Sequence, residues 1–188
     1  VSNVEVQASK NSVITKINVR QGDRVKKNQI LASLDPSDVD SDLKIIAVKL
    51  NSVRQRIQRL TLEEENLKGK QLTVSKRSLL NNSNQEILAK KIKEYDSLRN
   101  LINVNRQQVE LKRQVMEAHE KLFKKGAVSR LALIQAKDSL LAVTKVLSQS
   151  ETTLSTKNAS IVEQLEAERE IEIQLGEEQK ALVKVKGK

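Results

Sequence analysis

Along this chain the spacing of hydrophobic positions changes once, and sharply. Up to Asp35 the apolar residues come in short alternating runs: Val4 and Val6, then Val13, Ile14, Ile17 and Val19, then Ile30, Leu31 and Leu34 beyond Gln21-Gly22-Asp23. A period near two around a glycine turn predicts a small β-element over residues 1–35, with Gly22 supplying the turn. Pro36 is the only proline. Ser37 and Asp38 after it are helix-start residues, and Asp40 and Asp42 suit the positive end of a helix, so a boundary is expected there.

From Leu43 onward the period is seven. Leu43, Leu50 and Ile57 form one set, and Ile46, Val53, Leu60 and Leu67 a second set offset by three. This is the a/d seam of a helix that packs against other helices, and it predicts a first helix over about 37–68. The seam decays through Lys68-Gly69-Lys70, and the polar cluster Asn81-Asn82-Ser83-Asn84 has cap character, so a break is expected between 69 and 84. A second helix, about 85–124, carries Leu88, Tyr95, Ile102, Val109, Met116 and Phe123 at seven-residue intervals, which reads as core packing and not as a ligand-binding stripe. Gly126 ends it and Ser129 can cap the next helix, which leaves 125–129 as a tight connection between antiparallel neighbours. The third helix, about 129–182, repeats Leu133, Leu140, Leu147, Leu154, Ile161 and, after a polar Glu168, Leu175. At 1.5 Å per residue its roughly 54 residues would run about 80 Å.

Composition agrees with helix seams. The chain is 31% charged and 1% aromatic, with one Phe, one Tyr and no Trp, so what it can bury is almost entirely Leu, Ile, Val and Ala. The formal net charge of +10 raises nucleic acid or an anionic membrane as partners. Lys and Arg are interleaved with Glu along the whole length, however, and accompany neither an aromatic platform nor a nucleic-acid-binding motif, so the charges read as solvated helix faces. No run approaches the roughly 20 apolar residues of a membrane span, and without a signal peptide or an initiator Met the sequence reads as an excised piece of something longer.

Candidate chemistry is sparse. With no cysteine and one histidine, His119, neither a thiolate nor a clustered imidazole metal site is expected. His119 reads as an exposed helical residue near the hairpin tip. Glu63, Glu64 and Glu65 are consecutive, so on a helix they fan around the axis; they read as surface residues and not as an acid/base pair. One glycine at Gly22 cannot form a phosphate cradle. No catalytic, cofactor-binding or metal residues are assigned, and the chain is expected not to be an enzyme.

The segment from Asn11 to Asp35, with Ile17, Val19, Gly22-Asp23, Val25, Lys27, Gln29, Leu31 and Leu34-Asp35 at the matching places, resembles half of a lipoyl/biotinyl-type domain. Where carrier domains place the modified lysine this sequence has Leu34-Asp35-Pro36-Ser37, so no cofactor is expected. A half-lipoyl pattern interrupted by a helical hairpin resembles the membrane fusion (periplasmic adaptor) proteins, and the HlyD-type branch in particular. The segment from Leu122 to Ala136 is similar to that family's hairpin tip, where an Arg, a Leu and a Ser or Thr meet the outer-membrane channel. Leu122 and Ser129 match by spacing, whereas the expected Arg position is Ala118.

The resemblance implies a mainly α fold: a long antiparallel helical (coiled-coil) hairpin of about three helices over 36–182 with a small half-lipoyl β-element at its base, and a tail, 183–188, leading towards a second lipoyl half that this sequence lacks. It implies a periplasmic adaptor, anchored in the bacterial inner membrane in the full-length protein, that links an inner-membrane ABC transporter to a TolC-like outer-membrane channel for type I protein secretion. It also implies a homo-oligomer in the assembled machine. The channel-docking tip would be Leu122, Gly126, Ala127, Val128 and Ser129. A multidrug-efflux adaptor is the alternative within the family. Its two arms are usually similar in length, whereas here about 75 residues precede the tip and about 54 follow, so an extra helix must overlap or fold back. A cytosolic coiled-coil scaffold or nucleic-acid binder would leave the half-lipoyl pattern unexplained. Without its second half the β-element is expected to be strained, partly ordered, or completed by another chain.

Overall fold

The computed structural model describes residues 13–186. Val4, Val6, Asn11 and Ser12 of the half-lipoyl pattern, and the last two residues of the expected tail, lie outside the described residues. The fold is mainly α: strands β1 (Ile14–Ile17) and β2 (Ala32–Leu34), then helices α1 (Ser37–Leu67), α2 (Val74–Ser78), α3 (Asn82–Lys124) and α4 (Arg130–Lys186). Two compact units divide it, one made of the chain up to Arg54 together with Arg169 onward, the other of Gln55–Glu168.

In the first unit β1 and β2 pair antiparallel, Ile14 with Leu34 and Ile17 with Ala32, with an irregularity between Ile14 and Lys16. The hairpin between them has two turns. Gly22 adopts φ +95°, and the Asp23 carboxylate accepts from the Arg20 amide at 2.7 Å; further on Asn28 adopts φ +66°. Val13, Ile14, Ile17, Val25 and Ile30 are each more than half exposed, so the hairpin's apolar residues lack a cover among the described residues. At the boundary the side chain that receives the first helical amide is Asp35, whose Oδ1 accepts from Ser37 N at 2.9 Å; that bond holds the Asp35 carboxyl below the ordinary carboxylate value. Val39, Ile46, Leu50 and Val53 are buried along α1. Two ion pairs, Lys186–Asp40 at 2.6 Å and Arg54–Glu172 at 2.7 Å, tie the two ends of this α1 segment to α4 in antiparallel order.

In the second unit α1 ends in a Schellman motif. Gly69 sits at φ +80°, and the Lys70 and Gly69 amides donate to the Glu65 and Asn66 carbonyls. The chain then travels back down α1 before α3 begins. Lys76 of α2 pairs with Glu65, Leu80 packs with Leu62 and Leu88, and the Asn81 amide donates to Gln55 Oε1 at 2.8 Å. Climbing again, Asn84 lies against Arg59, Leu88 against Leu62 and Tyr95 against Glu63, so α1 and α3 run parallel and both are antiparallel to α4. This is how the extra helix is accommodated: the return segment 68–81 folds it back beside the hairpin.

Two boundaries differ from the sequence expectation. Helix α3 starts at Asn82, not near 85, because Asn81 is the residue that caps it, its Oδ1 accepting from Asn84 N at 2.9 Å. Helix α4 runs to Lys186, so Val183–Lys186 are helical where a tail was expected; Lys186 is held by Asp40, and cations in a last turn suit the helix dipole.

The seams are occupied as the heptads predict near the base and thin out towards the tip. Leu60, Leu67, Tyr95, Ile161 and Leu165 form one buried cluster with Leu154 packed on it. Tyr95, Ile102 and Val109 are buried, but Met116 is half-buried and Phe123 is 38% exposed. The reading of Phe123 as core is corrected accordingly: past the end of α1 two helices shield each other on one side only.

Candidate functional site

The reversal between α3 and α4 is built from backbone hydrogen bonds. Ala127 N donates to Leu122 O and Gly126 N to Phe123 O, both at 2.9 Å, and Gly126 takes φ +71°. These are the paired bonds of a second Schellman motif, with Gly126 at the left-handed position where a side chain is costly. Ser129 then caps α4, its Oγ accepting from Ala132 N at 3.2 Å. Two capped helix ends in five residues leave little freedom in the turn.

Of the five tip residues singled out by sequence, Leu122, Gly126, Ala127 and Ser129 are exposed and Val128 is half-buried. The structure brings them together in one turn. Ala118, at the place where the resemblance expects an Arg, is exposed on α3 one turn before Leu122. Around the tip stand Lys121, Lys124, Lys125 and Arg130, against Glu120, which pairs with Lys124 at 3.9 Å. The tip is therefore a small apolar and hydroxyl surface on a basic collar. His119 is half-buried and its ring nitrogen is 2.8 Å from the Val115 carbonyl, one turn back on its own helix. Among the described residues, no group of three or more His, Cys, Asp or Glu is placed to hold a metal ion, and no helix is long and apolar enough to cross a membrane.

Two polar features inside the helical seams escaped the sequence reading. Glu63 was expected at the surface but is buried, 2% exposed; it forms an ion pair with Arg59 and accepts a hydrogen bond from the Tyr95 hydroxyl at 3.1 Å. Burial, with the Glu63 charge next in weight, raises the Tyr95 phenol well above its ordinary value. The second feature is Asn105, whose Nδ2 donates to Ser150 Oγ at 3.0 Å across α3 and α4, both residues buried, with Arg106–Glu151 pairing beside them at 2.8 Å. Sequence signals existed for both. Arg59 stands four residues before Glu63, and Asn105 and Ser150 each follow a seam residue, Ile102 and Leu147, by three.

No family model and no curated protein matches the chain. Among solved structures it is similar to the periplasmic adaptor protein EmrA, with a TM-score of 0.42 and 19% identity over 94% of this chain. It is also similar to the soluble domain of LipC, a membrane fusion protein of a type I secretion system, with a TM-score of 0.31 and 16% identity over 99% of this chain. The chain spans about half of the EmrA chain, 53%, and 83% of the LipC chain.

Proposed function

We propose that this chain is the hairpin section of a periplasmic adaptor, which presents the turn at Gly126 to an outer-membrane channel while its β-element and helix ends belong to the part nearer an inner-membrane transporter. The observation that carries the reading is the combination of a half-lipoyl pattern at Asn11–Asp35 with a helical hairpin that reverses in a tightly capped, solvent-facing turn. The work is mechanical and recognitive: the seam between α3 and α4 supports the turn, and Leu122, Ala127 and Ser129 offer a small surface for a partner.

Type I protein secretion through an ABC transporter and a TolC-like channel is the finer reading. It rests on the unequal arms: α1 is added parallel to α3 through a return segment, where an efflux adaptor would use two arms of similar length. In this reading the full-length protein is anchored in the inner membrane and several copies assemble around the export path. Two of the buried polar clusters have a plainly structural arrangement: Glu63 holds Arg59 and Tyr95, and Asn105 holds Ser150.

The test is crosslinking in cells. In a Cys-free background Ser129→Cys should form an adduct with an outer-membrane channel, and Ser148→Cys, exposed on α4 away from the turn, should not. Adducts at Ser148 and none at Ser129 would remove the tip from the docking site.

A further inference from the structure

Beside the buried Asn105–Ser150 pair, the ion pair Arg106–Glu151 closes one side of the seam between α3 and α4. The residues just before that buried pair, Val104 and Gln149, lie on the other side. There α3 carries a second apolar row, Leu101, Val104, Leu111 and Val115, at seam spacing with Gln108 in the gap. All four apolar residues are exposed, Leu111 by 60%. A helix with apolar residues on two faces calls for two neighbours, and α4 covers only the face with Ile102 and Val109.

One charge stands beside that row. Lys112 is exposed and has Gln108, Val109, Val115 and Met116 within one turn along α3, so no carboxylate lies three or four residues away. It forms no ion pair among the described residues. The outer face of α4, away from the seam residues Leu133 and Leu140, holds the opposite arrangement. Leu131, Ile134 and Leu141 follow seam spacing, and Leu131 and Leu141 are 64% and 69% exposed. They enclose Asp138, which is exposed, has Ile134, Gln135, Leu141 and Ala142 within one turn, and has no ion pair among the described residues either.

We infer that these two surfaces are the halves of a contact between copies of this chain: the α4 stripe of one copy lies on the α3 row of the next, and Asp138 meets Lys112. Charge selects this pairing. Two α3 rows laid face to face would oppose Lys112 to Lys112, and two α4 stripes would oppose Asp138 to Asp138, whereas the crossed pairing sets opposite charges together inside matching apolar surroundings. The contact is head-to-tail, so every copy offers both surfaces and further copies can add. The stripe 131–141 is about 17 Å long, which makes a small, reversible contact. It names the surface on which the several copies of the proposed adaptor would meet, but it requires neither a channel nor a transporter.

The test is sedimentation of the purified whole chain over a concentration series. The wild type should self-associate reversibly. Lys112→Glu and Asp138→Lys should each weaken the association roughly ten-fold, because each reversal replaces an attraction by a repulsion, and the two together should restore it. Leu141→Gln, which leaves every charge in place, should weaken it as well. Since the chain has no cysteine, an oxidised mixture of Lys112→Cys and Asp138→Cys molecules should form the mixed disulfide in excess over the disulfides of either variant alone. A wild type that stays monomeric up to its solubility limit, a double reversal that associates no better than the single ones, or no excess of the mixed disulfide would overturn the inference. With no channel in the sample, such a failure leaves the turn at Gly126 as the docking site, and absence of the Ser129 adduct in cells leaves this contact standing.

Discussion

Tyr95 is the only tyrosine, and there is no tryptophan, so the near-ultraviolet absorbance of tyrosinate reports a single side chain in this protein. Raising the pH perturbs that side chain alone among the chromophores of its kind. A free phenol ionises near 10, but Tyr95 is 3% exposed and donates to the Glu63 carboxylate, so burial first and the negative charge second oppose its ionisation. In the folded protein no tyrosinate should therefore appear at pH 11, whereas in denaturant it should develop around pH 10. The sign of the linkage follows: a folded-state value raised above the unfolded one contributes stability that is complete below pH 10 and is lost as the pH rises from there towards the folded value. At pH 11 the ionising unfolded phenol alone removes about 1.4 kcal/mol. The alkaline decline in melting temperature should be steeper for the wild type than for Tyr95→Phe, which shares every lysine titration. Glu63→Gln removes the charge but not the burial; a hydrogen bond to a charged group is worth about 1.5–3 kcal/mol, so the Tyr95 titration should fall by about one to two pH units and stay above that of the free phenol. Native tyrosinate appearing near pH 10, or a titration unmoved by Glu63→Gln, would refute the buried Glu63–Tyr95 pair.

Three further outcomes are expected. Gly126→Ala should lower stability by about 1–2 kcal/mol in urea denaturation, because a Cβ there meets open space but the φ of +71° is strained for an L side chain; an unchanged midpoint would mean the turn is not left-handed in solution. Replacing both Asn105 and Ser150 by Leu should keep or raise the melting temperature while loosening the register of α3 on α4, whereas Asn105→Ala should cost about 1–3 kcal/mol by leaving Ser150 buried without that partner; the former is read by spin-label distances between position 106 and position 151. The Glu94 carboxyl is held below its ordinary 4.5 by Lys157 and then Lys91, and Glu65 by Lys76, so their contribution is complete above that value and lost as the pH falls through the lower folded values; the acid decline in melting temperature should be shallower in Glu94→Gln/Glu65→Gln, and an identical decline would exclude them.

Much of this architecture is legible from period alone. Of the a and d positions, Ile46, Leu50, Val53, Leu60 and Leu67 on α1 and Leu88, Tyr95, Ile102 and Val109 on α3 are buried, because a seven-residue apolar repeat lines one face of a helix, and Leu43 and Ile57 are half-buried. Pro36, Gly126 and Ser129 mark ends because each changes what the backbone can do locally. The direction of α1 relative to α3 is not legible, because a seam specifies which face is buried and not which helix covers it or which way that helix runs. Asn81, Asn82, Ser83 and Asn84 are all plausible caps by residue type, and only the three-dimensional position of Asn84 N selects Asn81. Glu63 looks like surface because two more glutamates follow it; its burial depends on Tyr95, 32 residues away, bringing a hydroxyl that needs an acceptor. At the tip the sequence identifies the turn, while its basic collar depends on how α3 and α4 lie beside each other.

The parallel placement of α1 has a kinetic consequence. Helices α3 and α4 meet across short separations, 45 residues at Asn105–Ser150 and fewer towards Gly126, whereas α1 meets α4 across 112 residues at Arg56–Glu168. Closing the longer loop costs about 0.8 kcal/mol more by the logarithmic law, and α1 must also wait for the return segment to reverse the chain. Folding is thus expected to start at the Gly126 turn and zip away from it, with α1 joining an already formed pair. Tyr95 touches α1 through Glu63, so its fluorescence should change after most of the helical circular dichroism has developed. Simultaneous traces would mean instead that the three strands of this bundle condense as one.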